Sequence, residues 1–367
     1  MMELDRRHLL GLGLGATVLG PARALEAEPR RDWNLVEVTE LGLRGQGFAD
    51  TASPYDRLPA RAESLVRPPV WKLSRHASGL HVDFETDAVE LRFEIDLSDA
   101  KLEMPHMPAS GASGVDLYAR DEAGSWRWVS CVLPGKQQYA AELRGLRPGK
   151  RTYRLYLPLY NGVVSARIGV REGAELLKVP VPERPAFVYY GTSIAQGACA
   201  SRPGMSFVNI LGRRMDEEVV NLAFSGNGKL ESEVGDLLVE LDPGVYVLDC
   251  LPNLGPADVA ARTEPFVRRL REARPETPIV MVEDRMNANA PFYPARARHH
   301  AGNHSAFRAA HEALIGAGIE GLTYVPDAPF LGTDGEATVD GSHPTDLGVV
   351  RYADALEPIL REVLGSR

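Results

Sequence analysis

Short runs in which apolar and polar residues alternate fill the chain from about residue 33 to residue 174. Residues 80–84 (Leu-His-Val-Asp-Phe) and 89–95 (Val-Glu-Leu-Arg-Phe-Glu-Ile) are two of them. A period of two predicts strands that bury one face, and turn signals such as Arg-Pro-Gly-Lys at 147–150 separate the runs. Many short strands at this spacing predict an all-β antiparallel sandwich.

The pattern changes after a proline-punctuated stretch at residues 179–185, which we interpret as a linker between domains at 28–178 and 186–367. Beyond it, short apolar runs alternate with amphipathic segments, which predicts an α/β domain with a mostly parallel sheet between two layers of helices. The predicted strands are 187–190, 218–222, 245–248, 279–283 and 322–325, and the predicted helices are 207–215, 230–240, 257–273, 305–315 and 346–363.

The first 27 residues have the layout of an export signal. Arg6 and Arg7 precede an apolar, glycine-rich stretch, and Ala-Arg-Ala at 22–24 is a small-x-small cleavage pattern. The arginine pair resembles a twin-arginine signal, and the apolar stretch is too short to span a bilayer. We expect a protein exported to the periplasm or the medium, with no membrane association after cleavage. A disordered start or an amphipathic surface helix is the alternative.

Composition narrows the class of partner. A net charge of −9, a pI near 5.6 and the lack of a basic block argue against nucleic acid. Three cysteines do not make a disulfide framework. We expect Cys199 and Cys250 to be buried thiols and keep a bridge between them as an alternative. The sequence does not indicate an oligomeric state.

Ser193 is the most informative residue, because it lies on the turn between a predicted buried strand and a predicted helix. α/β folds bind ligands at this edge of the sheet. A hydroxyl needs a base to become a nucleophile, and Asp340 precedes His343 by three residues, a spacing that lets a carboxylate orient an imidazole. The alternative is that Ser193 only caps the helix.

Two further segments follow predicted strands, Ser-Gly-Asn-Gly at 225–228 and Leu-Pro-Asn at 251–253. With Ser193 and His343, Gly226 and Asn253 then resemble the four signature positions of the SGNH (GDSL-type) hydrolases. The resemblance implies a three-layer, flavodoxin-like α/β/α domain with Asp340 completing a triad. It also implies an oxyanion hole formed by the backbone N–H groups of Ser193 and Gly226 and the Asn253 amide. The chain departs from the common pattern in two places. Thr192 stands where an Asp is usual, and Asn253 lacks the usual glycine two residues before it and the usual Asp after it.

Ser-Gly-Val-Asp-Leu-Tyr at 113–118 resembles the Gly-x-Asp-Leu-Tyr motif of an N-terminal domain fused to one subgroup of these esterases. With it, the resemblance covers most of the mature chain. We expect Asp116 and His106 to reach the cleft between the domains and line the substrate site. A purely structural hairpin is the alternative.

Residues 284–305 follow a predicted strand and look long and irregular, so we expect them to overhang the active edge. Tyr293, His299 and His300 are the candidate substrate-lining residues there. His300 and His304 have a spacing that can bind metal on a helix, but Gly and Asn lie between them and no nearby carboxylate is evident. We therefore predict no metal site and no cofactor.

Together these features predict a serine esterase that removes a short acyl group, acetyl above all, from a carbohydrate or glycoconjugate hydroxyl. The triad indicates the reaction class, whereas the sugar rests on the resemblance and on the accessory sandwich. Two alternatives stay open: an acyltransferase that uses the same triad with an acceptor alcohol, and a non-catalytic carbohydrate-binding protein.

Overall fold

The N-terminal region consists of two antiparallel sheets. A computed structural model of the protein describes residues 32–183, 185, 187–327 and 330–365, so the predicted export signal lies outside the described residues. One sheet has the strand order β1-β9-β4-β7, and the other has the order β10-β3-β8-β5-β6 with β2 paired to β3. The strands are β1 (Trp33–Glu37), β2 (Leu43–Arg44), β3 (His81–Thr86), β4 (Glu90–Leu97), β5 (Val115–Arg120), β6 (Trp126–Val132), β7 (Gln138–Arg144), β8 (Arg151–Tyr156), β9 (Val163–Arg171) and β10 (Leu176–Lys178).

Burial in this region follows the period of two. In β4 every second residue is buried, and Leu91, Phe93 and Ile95 pack in one core with Leu117 of β5 and Ile168 of β9. The predicted all-β sandwich is thus confirmed. Four short helices lie between the strands: α1 (Val38–Leu41), α2 (Ala62–Leu65), α3 (Pro68–Ser74) and α4 (Ala109–Ala112).

The C-terminal region is a parallel sheet covered by helices on both faces. Its strands are β11 (Phe187–Gly191), β12 (Val219–Asn221), β13 (Val245–Asp249), β14 (Ile279–Val282) and β15 (Leu322–Val325), in the order β12-β11-β13-β14-β15. Its helices are α5 (Ser193–Gln196), α6 (Phe207–Met215), α7 (Ser232–Leu238), α8 (Pro256–Ala273), α9 (Pro294–Gly316) and α10 (Asp346–Gly365). This is the flavodoxin-like strand order, which brings the carboxyl ends of β11 and its neighbours to one edge.

Strand β11 shows how the sheet separates two cores. Val188 and Tyr190 pack with α7, α8 and α9, whereas Phe187 and Tyr189 pack with α6 and α10 on the opposite face. The predicted three-layer α/β/α architecture is confirmed. From Trp33 onward the described residues form one compact unit, so the domain division at 179–185 stays a prediction. No helix among the described residues is both long and apolar enough to cross a membrane.

Helix α9 differs most from the sequence-based prediction, because it begins at Pro294 rather than at residue 305. Its buried face consists of His300, Asn303, Phe307 and, further along, Ala310 and Leu314. The first two are polar, so the apolar pattern cannot show the first turns of the helix. The expectation of an irregular segment up to residue 305 is therefore wrong for its second half.

A buried arginine connects the N-terminal region to the catalytic edge. Arg57 is 1% exposed and donates from Nη1 to the carbonyl oxygens of Asn221 and Ala223 at 3.0 and 2.8 Å. Its Nε donates to the carbonyl of His76 at 2.8 Å. Burial lowers the pKa of Arg57 to about 9, so it remains charged at neutral pH. These bonds fix the backbone just before the Ser-Gly-Asn-Gly segment.

Candidate active site

Ser193, His343 and Asp340 form a continuous hydrogen-bonded chain. Ser193 begins α5 directly after β11, and His343 lies in the loop before α10. Ser193 Oγ is 2.9 Å from His343 Nε2, and His343 Nδ1 is 2.8 Å from Asp340 Oδ2. This is the arrangement of nucleophile, base and orienting carboxylate that acyl transfer requires, so the imidazole can take the hydroxyl proton as Oγ attacks an ester.

Asp340 is held so that it can serve as the orienting group. Its Oδ1 accepts hydrogen bonds from the backbone N–H groups of Ser342 and His343 at 2.9 and 2.8 Å. Partial burial opposes ionisation, but these donors and the imidazole lower the pKa of Asp340 to about 2. The carboxylate is therefore ionised at neutral pH and can stabilise an imidazolium.

The capping alternative for Ser193 does not fit the structure. The N-cap position of α5 belongs to Thr192, and no side-chain cap bond is made there. The Ser193 hydroxyl instead bonds to His343. Thr192 stands where the family pattern has an Asp. It precedes Ser193 directly and does not interrupt the hydrogen bonds that join Ser193, His343 and Asp340.

The two segments with the predicted oxyanion donors meet beside the nucleophile strand. A Cβ on Gly228 would lie 2.0 Å from the carbonyl oxygen of Gly191, so only glycine allows this approach. Gly226 has φ +69°, and its N–H donates to no other described residue. Asn253 Nδ2 donates to the Gly228 carbonyl at 3.2 Å. That bond uses one of the two amide hydrogens of Asn253, and the other remains for a substrate oxygen.

Gln196 is a positioning residue that the sequence analysis missed. It is fully buried, its Oε1 accepts from the N–H of Ser225 at 2.8 Å, and its Nε2 donates to the carbonyl of Leu159 at 3.3 Å. Tyr160, next to Leu159, donates from its hydroxyl to the carbonyl of Ser193 at 3.2 Å. The N-terminal region thus contacts the nucleophile turn directly. The sequence offered only one signal for this role, a polar residue three positions after Ser193.

The structure corrects the expected role of Asp116. This side chain is completely buried, and its Oδ2 accepts from Arg202 Nη1 and the N–H of Gly204 at 2.7 and 2.8 Å. Its Oδ1 accepts from Trp128 Nε1 at 2.9 Å, and Arg202 also donates to the Tyr118 hydroxyl at 2.6 Å. Asp116 therefore cannot line an open cleft. It holds the segment that connects α5 to α6, behind the nucleophile.

Asp116→Asn is expected to reduce the free energy of unfolding by on the order of 1 kcal/mol or more, because it removes the buried counter-charge of Arg202 while the amide oxygen can still accept a hydrogen bond. Activity should fall to the same extent on a small chromogenic ester and on a polysaccharide ester. Chemical denaturation and parallel kinetics measure both effects. Asp121→Asn is the matched control, since Asp121 pairs with the exposed Arg127 and this change should leave the free energy of unfolding nearly unchanged. A loss of activity on the polysaccharide ester alone would instead indicate that Asp116 lines the substrate site.

The remaining candidate substrate-lining residues fall into three groups: one beside His343, two around a nearby cavity and one outside that cavity. The His106 ring centroid is 5.6 Å from that of His343, so His106 borders the site. A cavity of about 340 Å³ adjoins Ser342 and Pro252, and His299 and His300 line it with Arg285 and Arg296. Tyr293 is 52% exposed, its ring lies 4.8 Å from the Arg296 guanidinium, and it does not line this cavity.

The expectation that no carboxylate lies near His300 and His304 is wrong. Asp284, the second residue after β14, places Oδ2 2.7 Å from His300 Nδ1. It was missed because His300 reaches it from α9, whose first turns the apolar pattern did not reveal. Cys131, Cys199 and Cys250 are free thiols, and the last two are buried.

Asn253→Ala is expected to lower kcat by about 100-fold or more with little change in KM, because an oxyanion donor bonds more strongly in the transition state than in the ground state. Steady-state kinetics with an acetyl ester measures both constants. A rise in KM at constant kcat would instead make Asn253 a ground-state binding residue.

Comparisons with known proteins show the family to which the chain belongs. Residues 184–361 match the GDSL-like lipase/acylhydrolase family, and residues 32–176 match the N-terminus of SGNH-hydrolase-type esterases, known as GxDLY. A GDSL-like lipase from Bacteroides ovatus ATCC 8483 is 31% identical over 91% of this chain and 98% of its own, with a TM-score of 0.87. The chain therefore belongs to the GDSL-like (SGNH) lipase/acylhydrolase family. It is an ester-hydrolysing enzyme.

More distant structures share the fold. A salicylyl-acyltransferase from a tetracycline biosynthetic pathway is 21% identical, covers 88% of this chain and 95% of its own, and has a TM-score of 0.72. An acetyl xylan esterase from Butyrivibrio proteoclasticus is 12% identical over 91% of this chain and 99% of its own, with a TM-score of 0.55. No curated protein matches the sequence.

Proposed function

We propose that this enzyme hydrolyses short-chain O-esters, acetyl esters above all, on a carbohydrate or glycoconjugate. The observation that carries the reaction class is the hydrogen-bonded chain from Ser193 through His343 to Asp340. Ser193 Oγ attacks the ester carbonyl while His343 takes its proton, and the N–H groups of Ser193 and Gly226 with the Asn253 amide stabilise the oxyanion. Collapse of this intermediate breaks the ester bond, and His343 returns the proton to the departing alcohol.

Deacylation follows the same route with water as the nucleophile. His343 takes a proton from water, the hydroxide oxygen attacks the acyl carbonyl on Ser193, and the second intermediate releases the carboxylic acid and restores the Ser193 hydroxyl. An acceptor alcohol in place of that water would transfer the acyl group instead. Because the chain belongs to a family of ester hydrolases, its family membership does not favour the alternative of a non-catalytic carbohydrate-binding protein.

The chemistry of the adjoining cavity supports a short acyl group and a polar alcohol. The cavity is small, about 340 Å³, and most of the residues that line it are polar or charged, including Arg285, Asn287, Arg296 and His299. A long acyl chain would need an apolar channel, whereas sugar hydroxyls can bond to these donors and acceptors. The acetyl xylan esterase from Butyrivibrio proteoclasticus shares the fold of this enzyme, and the proposal takes no more than that from it.

A series of 4-nitrophenyl esters from acetate to octanoate, followed by acetylated polysaccharides, tests the substrate class. We expect kcat/KM to be highest for acetate and to fall at least tenfold by octanoate, and acetate to be released from the polymer. Assays with added alcohols measure the acyltransferase alternative, since transfer forms a new ester in place of free acid. A preference for octanoate would contradict the short-chain proposal.

We also propose export through the twin-arginine route, from the motif around Arg6 and Arg7. Changing both arginines to lysine should retain the precursor in the cytoplasm, because this route requires the arginine pair rather than positive charge. Fractionation of cells that express each version measures the result. Unchanged export would indicate a general secretory signal.

A further inference from the structure

Asp284, His300 and His304 converge beside the cavity that Ser342 and Pro252 line, although the proposed hydrolysis uses none of them. One candidate ligand atom from each residue lies within 4.8 Å of the other two. The side chains of Asp284 and His300 are 1% and 6% exposed, and that of His304 is 12% exposed. Histidines four residues apart on α9 lie on one helix face. The carboxyl end of β14 brings Asp284 to that face.

One polar atom of each of these three side chains lacks a hydrogen-bond partner. Asp284 Oδ2, His300 Nδ1 and His304 Nε2 are all buried, and each has no hydrogen bond within the described part of the chain. Oδ2 and Nδ1 are 2.7 Å apart and form an ion pair when His300 is protonated, but their orientation does not meet hydrogen-bond geometry. An unsatisfied buried polar atom costs about 1–3 kcal/mol, so three in one place need an explanation. One bound cation would satisfy all three.

The opposite nitrogens of both imidazoles face oxygen atoms. His300 Nε2 is 3.3 Å from Asn287 Oδ1 and 3.3 Å from the backbone N–H of Asn287, and His304 Nδ1 lies 3.8 Å from Glu283 Oε2, an ion-pair distance rather than a hydrogen bond. Glu283 in turn accepts from Arg308 at 2.7 Å and from the Tyr324 hydroxyl. Histidines that bind metals generally direct the second ring nitrogen to such an oxygen, which fixes the tautomer and the ring orientation. The surroundings therefore suit imidazoles that bind a cation.

We propose that Asp284, His300 and His304 bind one divalent ion of the zinc type. Two imidazoles and one carboxylate are a donor set that Zn²⁺ accepts, with a water molecule completing the tetrahedron. Calcium and magnesium prefer sets made of oxygen atoms alone. Around the site Asp284 pairs with Arg285, and Glu283 pairs with Arg308.

The bound ion would also affect the catalytic loop. Arg285 Nη1 pairs with Asp284 Oδ1, and Nη2 donates to the carbonyl oxygen and Oγ of Ser342 at 2.9 and 2.6 Å. Ser342 directly precedes His343. Metal binding therefore restrains α9, the end of β14 and, through Arg285, the loop that carries the catalytic base. Its expected effect is a higher Tm.

Cobalt binding tests the site without an activity assay. Tag-free protein is treated with a chelator, dialysed and titrated with Co²⁺, and the visible absorption of the bound ion and the Tm are recorded. His304→Gln removes one ligand at the least buried position. His311→Gln is the matched control, since His311 lies on the same helix, where its ring packs 4.9 Å from that of Tyr324. Circular dichroism compares the folding of the three proteins.

The wild type and His311→Gln should each bind one equivalent of Co²⁺, which Zn²⁺ displaces, and their Tm should rise on binding. His304→Gln should bind at least about 100-fold more weakly, with no rise in Tm at the same metal concentration. Lack of saturable binding in the wild type would overturn the proposal, and so would equal binding by His304→Gln. Neither result depends on whether the enzyme hydrolyses acetyl esters.

Discussion

Ser193→Ala is expected to lower kcat for an acetyl ester by roughly 10⁴- to 10⁶-fold while the protein stays folded. The change removes only the oxygen that attacks the carbonyl, and the oxyanion donors remain to give a small residual rate. The Ser193 side chain makes no helix cap in this structure, so its removal should cost little stability. Steady-state kinetics and thermal denaturation of the same preparation measure the two effects.

Ser232→Ala is the matched control, because Ser232 also lies at the start of a helix but is exposed, and its hydroxyl donates to Glu233 rather than to His343. It should retain wild-type kcat. If Ser193→Ala kept activity near that of the control, with contaminating esterase excluded, Ser193 would not be the nucleophile.

His343→Ala is expected to cause a loss comparable to that of Ser193→Ala, since without a base the hydroxyl stays protonated. The two side chains act as one unit, so the double variant should be no slower than the slower single variant. Kinetics of the four proteins in this cycle measure the coupling. Losses that multiply would show that Ser193 and His343 act independently, which contradicts the shared proton transfer.

Much of the fold follows from sequence periodicity. Apolar runs and amphipathic segments alternate clearly after residue 186, and β15 and α6 have the predicted bounds. Parallel topology then brings residues that follow different strands to one edge, so motifs far apart in sequence could be expected to meet. The spacing of Asp340 and His343 is local, and it alone suggests their contact.

The features that the sequence analysis predicted wrongly or did not predict share one physical cause, which is the burial of polar side chains. Gln196, Asp116 and Asp284 are each at most 1% exposed, and each lies against a polar group from another segment, namely Ser225, Arg202 and His300. Such residues look like surface positions in a hydrophobicity pattern, because only the fold supplies their partners. His300 and Asn303 misled the prediction of α9 for the same reason.

Covalent trapping tests the central claim most directly. A fluorophosphonate phosphonylates a serine only when a neighbouring base activates the hydroxyl. Intact mass and peptide mapping of the treated wild type should show one adduct, on Ser193, and His343→Ala should label far more slowly. An adduct on another residue, or no adduct on a preparation that hydrolyses the acetyl ester, would contradict the account.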